Sequence, residues 1–597
     1  MPEPTYIVGI DLGTTNSVVA YTDAKPEKGR PPDIRLFRAP QLVGPGAIEE
    51  RDTLPSFVLL PTPHEVAEGD LALPWDEKPG LAVGVFARDR GAELPQRLVS
   101  SAKSWLCHAG VDRNAAILPW GAEGGARKLS PVEASTAVLA HVTAAWDRFM
   151  AADNPDLALK HQDVILTVPA SFDAVARDLT VKAATAAGLS VTLLEEPQAA
   201  FYAWIAHSGD EWRKNVSVGD LVLVFDVGGG TSDFSLISVG EEEGNMTLSR
   251  VAVGDHLLVG GDNMDLALAY DLAKTLAQKG KKLDGWQMRA LWLSCRGAKE
   301  KLLAENGPEA AVVTILGRGS GLIGGTVKTD LEKGRITGVI TDGFFPPCEK
   351  DAEPSAPPRS GMREMGLSYA ADPGVTRHLA RFLRRSGAER PLPTAVLFNG
   401  GVMKAAALRD RVLEVLDSWR DGDGEPVREL SGADYDLSVA RGAAVYGLAK
   451  RGGAVRIKGG LNKAYYIGVE AALPAVPGMP APRSAVCVAP FGMEEGTSAK
   501  LSGRTFGLVV GEPVRFEFLA STSRHDDEMG VTIEDFESEL TPVTTLETEL
   551  SGDAGSVIPV TLEVDATEVG TLELWCVAED GRRFRLSFDV REKEDAP

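Results

Sequence analysis

Two stretches of the chain carry the same succession of apolar and polar positions. Residues 6–22 run as an apolar strand (YIVGI), a tight polar turn (DLGTTN) and a second apolar strand (SVVAYT). Residues 221–239 repeat the pattern as LVLVF, DVGGGTSD and FSLISV. Between them, apolar residues at helical spacing predict a helix over 131–152, with Pro131 near its start. A buried strand at Val164–Val168 and a helix over Ala174–Ala187, stopped by Gly188, follow. The pattern is helical over 262–304 and strand-like over 309–340, and a Pro-, Ser- and charge-rich stretch, Pro346–Arg359, reads as an exposed loop. Helices over 373–386 and 404–419 flank the strand TAVLF. Past residue 452 the long helical patterns stop. Short β-rich runs take over at Ala464–Val469, Val514–Leu519, Val557–Val564, and Gly570–Val577 followed by Arg583–Val590, the last two joined through the hairpin signal Asp580-Gly581. This divides the chain into an α/β region at 1–451, a linker at 452–463 near Gly459-Gly460, and a β-rich, sandwich-like domain at 464–597.

Composition narrows the function classes. With 597 residues, several units of ~150 residues are expected. A net charge of −23 repels phosphate backbones, which argues against nucleic-acid binding through a basic face and favours solubility. No stretch reaches the ~20 apolar residues of a membrane span, and MPEPTYIVGIDLG lacks the basic and apolar regions of a signal peptide. The five cysteines are scattered and never spaced CxxC, and the eight histidines are dispersed, so neither a disulfide framework nor a zinc site is expected. A cytoplasmic protein is the expectation.

The repeated turn carries the chemistry. GIDLGTTNS (Gly9–Ser17) and VFDVGGGTSD (Val224–Asp233) share an apolar strand, an Asp, an apolar residue, a Gly and then small residues including Thr. An Asp at a strand end suits a hydrated Mg²⁺, which takes carboxylate and water oxygens. The glycines let backbone N–H groups approach phosphate oxygens, and the threonines add hydroxyl donors. One such turn is a common hairpin; two of them, at Asp11 and Asp226, suggest a duplicated domain clasping one nucleotide. No GxxxxGK[ST] is present and neither turn holds G-x-G-x-x-G, so P-loop and dinucleotide folds are excluded.

Further segments occur in a telling order: TVPASFDAVAR, LLEEPQAA, VLFNGGVMK and SVARGAAVYG. Together with the two turns they resemble the nucleotide-binding domain of heat shock protein 70 (DnaK-type) chaperones, within the actin, hexokinase and chaperone superfamily, over about residues 5–450. The resemblance implies a two-lobed, actin-like (ribonuclease H-like) α/β ATPase domain with Mg·ATP or ADP in its cleft. By it, Asp11 and Asp226 hold Mg²⁺ through water. Gly13, Thr14, Thr15 and Asn16 form the first phosphate loop, and Gly228, Gly229, Gly230 and Thr231 the second, where Thr231 also belongs to the catalytic group. Lys103 orients the attacking water and γ-phosphate, and Glu196 and Asp233 lie near that water. Pro169 and Arg177 match a pair that relays nucleotide state. At the adenosine end, Gly260, Gly261 and Asp262 resemble a nucleotide turn, Lys299 an adenosine contact, Asn399, Gly400 and Gly401 the last nucleotide turn, and Asp436 the closing Asp. Departures gather there: Arg296 stands for a Glu, Glu300 for a basic residue, Leu303 for a small polar one and Val402 for a polar one. Hydrolysis is expected to be slow and to need no second substrate site.

The β-rich tail resembles the β half of a DnaK-type peptide-binding domain in AYYIGVE and GTLELWCVAEDGRRFRLSFDV. In place of the family's apolar linker stands RIKGGLNK, and the chain stops at REKEDAP, so weak linker docking, no helical lid and fast peptide exchange are expected. The resemblance implies unfolded or extended polypeptide as client, with room for a J-domain co-chaperone and a nucleotide exchange factor. The alternatives are a small-molecule kinase of the same superfamily, a nucleotide-binding scaffold and an actin-like filament protein, the last disfavoured by the β tail.

Overall fold

The computed structural model describes residues 3–26, 32–108, 110–122, 125–242, 245–315, 327–356, 367, 369–386, 392–420, 425–432, 434–453, 457–458, 461, 463–470, 482–494, 496–549, 555–567 and 572–586.

The two strand–turn–strand segments each become the centre of a sheet. In the first, β1 (Tyr6–Leu12) pairs antiparallel with β2 (Asn16–Asp23) and parallel with β3 (Asp163–Val168), which pairs parallel with β4 (Val191–Glu195). In the second, β5 (Leu221–Val227) pairs antiparallel with β6 (Ser232–Glu242) and parallel with β8 (Ala395–Asn399), while β6 pairs with β7 (Asn245–Val253). The pairing of the first two strands and the third is the same in both. Asp11 faces Val18 and Thr167, and Asp226 faces Asp233 and Asn399.

Both sheets need their apolar faces covered, and their central strands are apolar on both sides, as in parallel sheets packed between helices. On the outer face of the first sheet lie α2 (Pro131–Met150) and α3 (Ala174–Ala186); α1 (Ala102–Leu106) packs beside α2. Ser130 and Glu133 close a capping box at the start of α2, with Pro131 in its first turn. The outer face of the second sheet is covered by α5 (Gly261–Gln278), α6 (Gly285–Leu303), α7 (Val375–Arg385) and α8 (Ala406–Ser418). Between the sheets, α4 (Glu196–Ser208) and α9 (Ser438–Leu448) pack on each other, with Tyr202 and Tyr446 5.5 Å apart, and share one apolar core with Ile7, Ile165, Val222 and Leu397. A structure of two similar lobes joined by a helical seam follows.

Several expectations shift. The strand-like stretch at 309–340 holds only to Glu332, through the hairpin Ala310–Ile315 and Val327–Glu332; residues 333–344 are helical. The apolar spacing of GVITDGFF suits either form, and burial of Ile336, Ile340 and Phe344 on one side selects the helix. Small strands at Arg35–Leu36, Ala39–Gly44 and Ala47–Arg51 carry no strong sequence pattern.

In the C-terminal part, β9 (Ile457–Lys458) adds to the edge of the second sheet, parallel to β7. Within the linker 452–463, residues 454–456, 459–460 and 462 lie outside the described residues, as do Gly570 and the segment 587–597. Two further sheets follow. The first has β10 (Ala464–Glu470) at its centre, between β11 (Arg483–Ala489) and the strand Pro513–Ser521. The second is built on Ser556–Ala566, Leu572–Ala578 and Arg583–Leu586. Their apolar faces pack together, and that core runs on into the first lobe. Tyr465 is buried there and accepts a hydrogen bond from the backbone N–H of Ala174 at the start of α3.

Candidate functional site

The two Asp-containing turns end on opposite walls of one cavity of about 480 Å³. It is lined by Asp11, Gly13, Thr14, Thr15 and Asn16 from the first lobe and by Asp226, Gly228, Gly229 and Thr231 from the second. Lys103, Glu196, Gly261, Lys299, Gly400, Gly401 and Asp436 also line it. Asp233, Gly230 and Gly260 are not among its lining residues.

Glycine is required where the loops meet. A Cβ on Gly229 would lie 1.8 Å from Thr15 Oγ1, so a side chain there would force the two loops apart. At Gly400 φ is +86°, and a Cβ would meet Val227 O at 2.4 Å and Asp226 Oδ1 at 2.5 Å.

The carboxylates are held by neighbours on the paired strands. Thr167 Oγ1 donates to Asp11 Oδ1 at 3.2 Å. Asn399 Nδ2 donates to Asp226 Oδ2 at 2.6 Å, and Ser438 Oγ donates to Asn399 Oδ1 at 2.7 Å. Lys103 is only 8% exposed and pairs with Glu196, the first residue of α4. The two residues, 93 positions apart, come together because α1 and α4 both begin at the cleft.

Burial and mutual repulsion shape the electrostatics. Burial, Glu196, Asp233 and Asp11 together raise Asp226 to about 8, against the hydrogen bond from Asn399. Burial likewise raises Glu196 to about 7, although Lys103 opposes it. Burial works against the charged form of Lys103 too, but Glu196 and Asp11 overcome this and hold its proton more firmly than usual. The ammonium therefore stays charged, and the carboxyl cluster around it keeps a proton because one cation does not offset Asp11, Asp226 and Glu196. Asp233 goes the other way: burial is outweighed by His256, Ser171 and Lys103, and its carboxylate is held ionised. Ser171 Oγ donates to Asp233 Oδ1 at 2.5 Å.

This donor set fits a hard divalent cation. Asp11 and Asp226 face the cavity with oxygen donors and incomplete charge compensation, which favours Mg²⁺ with its own waters. Among the described residues no group of three or more His, Cys, Asp or Glu side chains is arranged to hold a metal ion.

At the other end the structure rearranges the expected contacts. The Gly260–Asp262 turn props the Gly228–Thr231 turn from behind: Gly261 N–H donates to Gly228 O at 3.0 Å and Asp262 N–H to Gly229 O at 2.7 Å. These donors are taken. Lys299 is held by Asp265, 2.7 Å away, and donates to Gly261 O. Asp436 pairs with Lys404. Arg296 bonds Asp262 at 2.7 Å and lies 3.5 Å from Thr15 Oγ1, so it bridges toward the first lobe. Leu303, Val402 and Leu408 make this end largely apolar. A second cavity of about 510 Å³, walled by Trp105, Trp120, Trp292 and Tyr369, shares Thr14 and Arg296 with the first; the sequence held no sign of it.

Sequence reasoning also missed a buried ion cluster. Glu195 Oε1 receives Arg177 Nη2 at 2.5 Å, and its other oxygen bonds Arg250 of β7. Arg177 is thus held to the end of β4, and Pro169 directly follows β3. The pair Glu195-Glu196 at a strand end was the available signal. Arg250 and His256 stand outside every motif and had none.

No described helix is long and apolar enough to cross a membrane. A family model described as "Hsp70 protein" matches residues 94–314. Over 458 residues the chain is 29% identical to the "Chaperone protein HscA homolog" of Methylococcus capsulatus, covering 74% of this chain and 58% of that protein. It is 32% identical over 295 residues to the "Chaperone protein HscA homolog" of Aeromonas hydrophila, covering 48% of this chain and 40% of the relative. To the "Chaperone protein HscA" of Photorhabdus laumondii it is 31% identical over 268 residues, covering 44% and 36%. The chain thus spans about a third to three-fifths of the length of these relatives.

Proposed function

We propose, from the premise that this chain belongs to the heat shock protein 70 family and has its actin-like α/β fold, that it is a slow Mg-dependent ATPase of the DnaK type whose nucleotide state controls the holding of unfolded or extended polypeptide. The observation that carries this is the convergence of the two Asp-Gly turns on one cavity, with the buried Lys103–Glu196 pair at its floor.

Phosphoryl transfer to water asks little covalent chemistry of a protein, so positioning and charge decide its rate. Backbone N–H groups of the loops at Gly13–Thr15 and Gly228–Thr231 would take the phosphate oxygens. Lys103 offers a buried cation, worth more there than in water. Glu196 is positioned to orient the attacking water, and Asp233 is fixed by Ser171 and His256 close behind. Asp11 and Asp226 would hold Mg²⁺ through water, which when bound neutralises charge on the phosphates.

Two features support coupling to the β-rich part at 464–597. β9 extends the second sheet despite its unusual RIKGG sequence, because strand addition uses backbone groups and not side chains. Tyr465 meets α3, which carries Arg177, at Ala174. The five free cysteines, three of them buried, suit a reducing cytoplasm. A J-domain protein and a nucleotide exchange factor are the co-chaperones of this reading.

The test is single-turnover ATP hydrolysis by wild type and Lys103→Ala, with and without an extended apolar peptide. Loss of turnover by ~10²-fold or more in the variant, the scale for removing one buried stabilising group, and acceleration of wild type by peptide are expected. Hydrolysis indifferent to both would overturn the reading. ATP-dependent phosphorylation of a small molecule would favour a kinase using the second cavity.

A further inference from the structure

The cavity between the lobes has two unlike ends. Phosphates held at the Asp11 and Asp226 turns leave the rest of it to the nucleoside, and that part is lined by Leu303 at the end of α6 and by Val402 and Leu408 at the entry to α8. The polar side chains around them are already engaged within the protein. Arg296 is held by Asp262 at 2.7 Å. Lys299 is held by Asp265 at 2.7 Å and donates to Gly261 O at 3.1 Å. Asp436 pairs with Lys404, and Tyr435 Oη donates to Glu429 at 3.4 Å. Glu300, one turn before Leu303 on α6, also lines the cavity, but its side chain is 68% exposed and lies 3.8 Å from Arg296 Nε. What this end offers a base is therefore hydrocarbon, with one hydrated carboxylate beside it.

A site rejects a wrong base sharply when it buries hydrogen-bonding groups that the wrong base leaves unpaired; a hydrocarbon surface exerts no such penalty. Adenine and guanine have flat faces of nearly equal area and differ only at their edges, with a 6-amino group on one and a 6-oxo and a 2-amino group on the other. Leu303, Val402 and Leu408 touch faces, not edges, in the only way that hydrocarbon can, by dispersion and burial. The carboxylate of Glu300 accepts and does not donate, so it suits the 6-amino group of adenine and the 2-amino group of guanine alike. Its exposure also lets the polar edge of either base keep its water. We propose that this end takes purine nucleotides by their ring faces and does not select adenine over guanine, so that the chain binds GTP as well as it binds ATP. The proposal rests on the nucleotide-site reading above and widens its substrate class. Leu303 and Val402 are the residues that set it.

The experiment is titration calorimetry of the full chain, with Mg²⁺, using the β,γ-imido analogues of ATP and GTP and, as a probe that reaches only the phosphate end, inorganic tripolyphosphate. The two analogues are expected to bind with dissociation constants within about tenfold of each other, the range a hydrocarbon contact can discriminate. A larger preference for either one would overturn the proposal. Leu303→Ala is expected to weaken both analogues by the same factor, about tenfold, and to leave tripolyphosphate unchanged. Loss confined to one analogue, or no loss with either, would overturn it as well. If tripolyphosphate also weakens, the variant is loosened, and Val402→Ala decides by the same criterion. Binding of the ATP analogue with the GTP analogue excluded sinks this proposal alone. If neither analogue nor tripolyphosphate binds wild type, the nucleotide-site reading fails and this proposal with it.

Discussion

Glu195 sits at the end of β4 with a guanidinium on each oxygen: Arg177 of the first lobe at 2.5 Å and Arg250 of the second. The three side chains are 3%, 9% and 4% exposed for Glu195, Arg177 and Arg250, so none is relieved by water. Replacing Glu195 with Ala removes the carboxylate that both cations share and leaves a cavity between the lobes. Breaking a buried pair by removing one partner costs about 3–5 kcal/mol, because the buried charge left behind loses its counter-ion. Because the chain has several units, one global unfolding free energy is not the right readout. Hydrogen exchange of the amides in β3, β4 and β7 is, since it reports the opening of the elements the cluster ties together. At 1.4 kcal/mol per factor of ten, exchange there should accelerate by about two to three and a half orders of magnitude. Glu211→Ala, which breaks a pair exposed by 71% and 66%, is the control and should change nothing measurable. A change under threefold in Glu195→Ala would refute the assignment of Glu195 as the counter-ion that joins the lobes.

Three other outcomes follow from the same geometry. Burial holds the imidazole of His141 down to about 4 in the folded chain, against 6.5 when exposed. The unfolded chain therefore binds its proton first, and stability that is full above pH 6.5 falls as pH drops toward 4, by about 3 kcal/mol; His141→Gln should flatten that part of a denaturation-versus-pH curve. Gly229→Ala should abolish nucleotide binding in calorimetry while the circular dichroism spectrum is kept, since the new methyl group meets Thr15 across the cleft. Tyr465→Phe deletes the oxygen that accepts from Ala174 N–H; it should destabilise docking of the β-rich part by about 1 kcal/mol and reduce peptide stimulation of ATP turnover, read as the ratio of rates with and without peptide.

The repeated strand–turn–strand texture, the end of long helical patterns at residue 452 and the placement of Asp11 and Asp226 at strand ends were all legible along the chain, because each is a local property. Strand period, turn chemistry and helix capping act over a few neighbours, and Ser130, Pro131 and Glu133 behave in the structure as their spacing predicts. Lys103 was legible only as a place in an order of motifs. Its burial and its partner Glu196 arise from how α1 and α4 meet at the seam, which no local pattern encodes. The helix over 333–344 shows the same limit from the other side: its spacing admits two periods, and tertiary burial chooses one. Arg250 and His256 reach the site from the second lobe, and Arg296 crosses toward Thr15 from α6, so their partners lie 55, 85 and 281 positions away in the chain. By itself the sequence determined which residue types stand at the ends of which strands. The tertiary structure decided which of those ends face one another, and with that which charges are buried together, because desolvation and Coulomb energy depend on distance in space and not on distance along the chain.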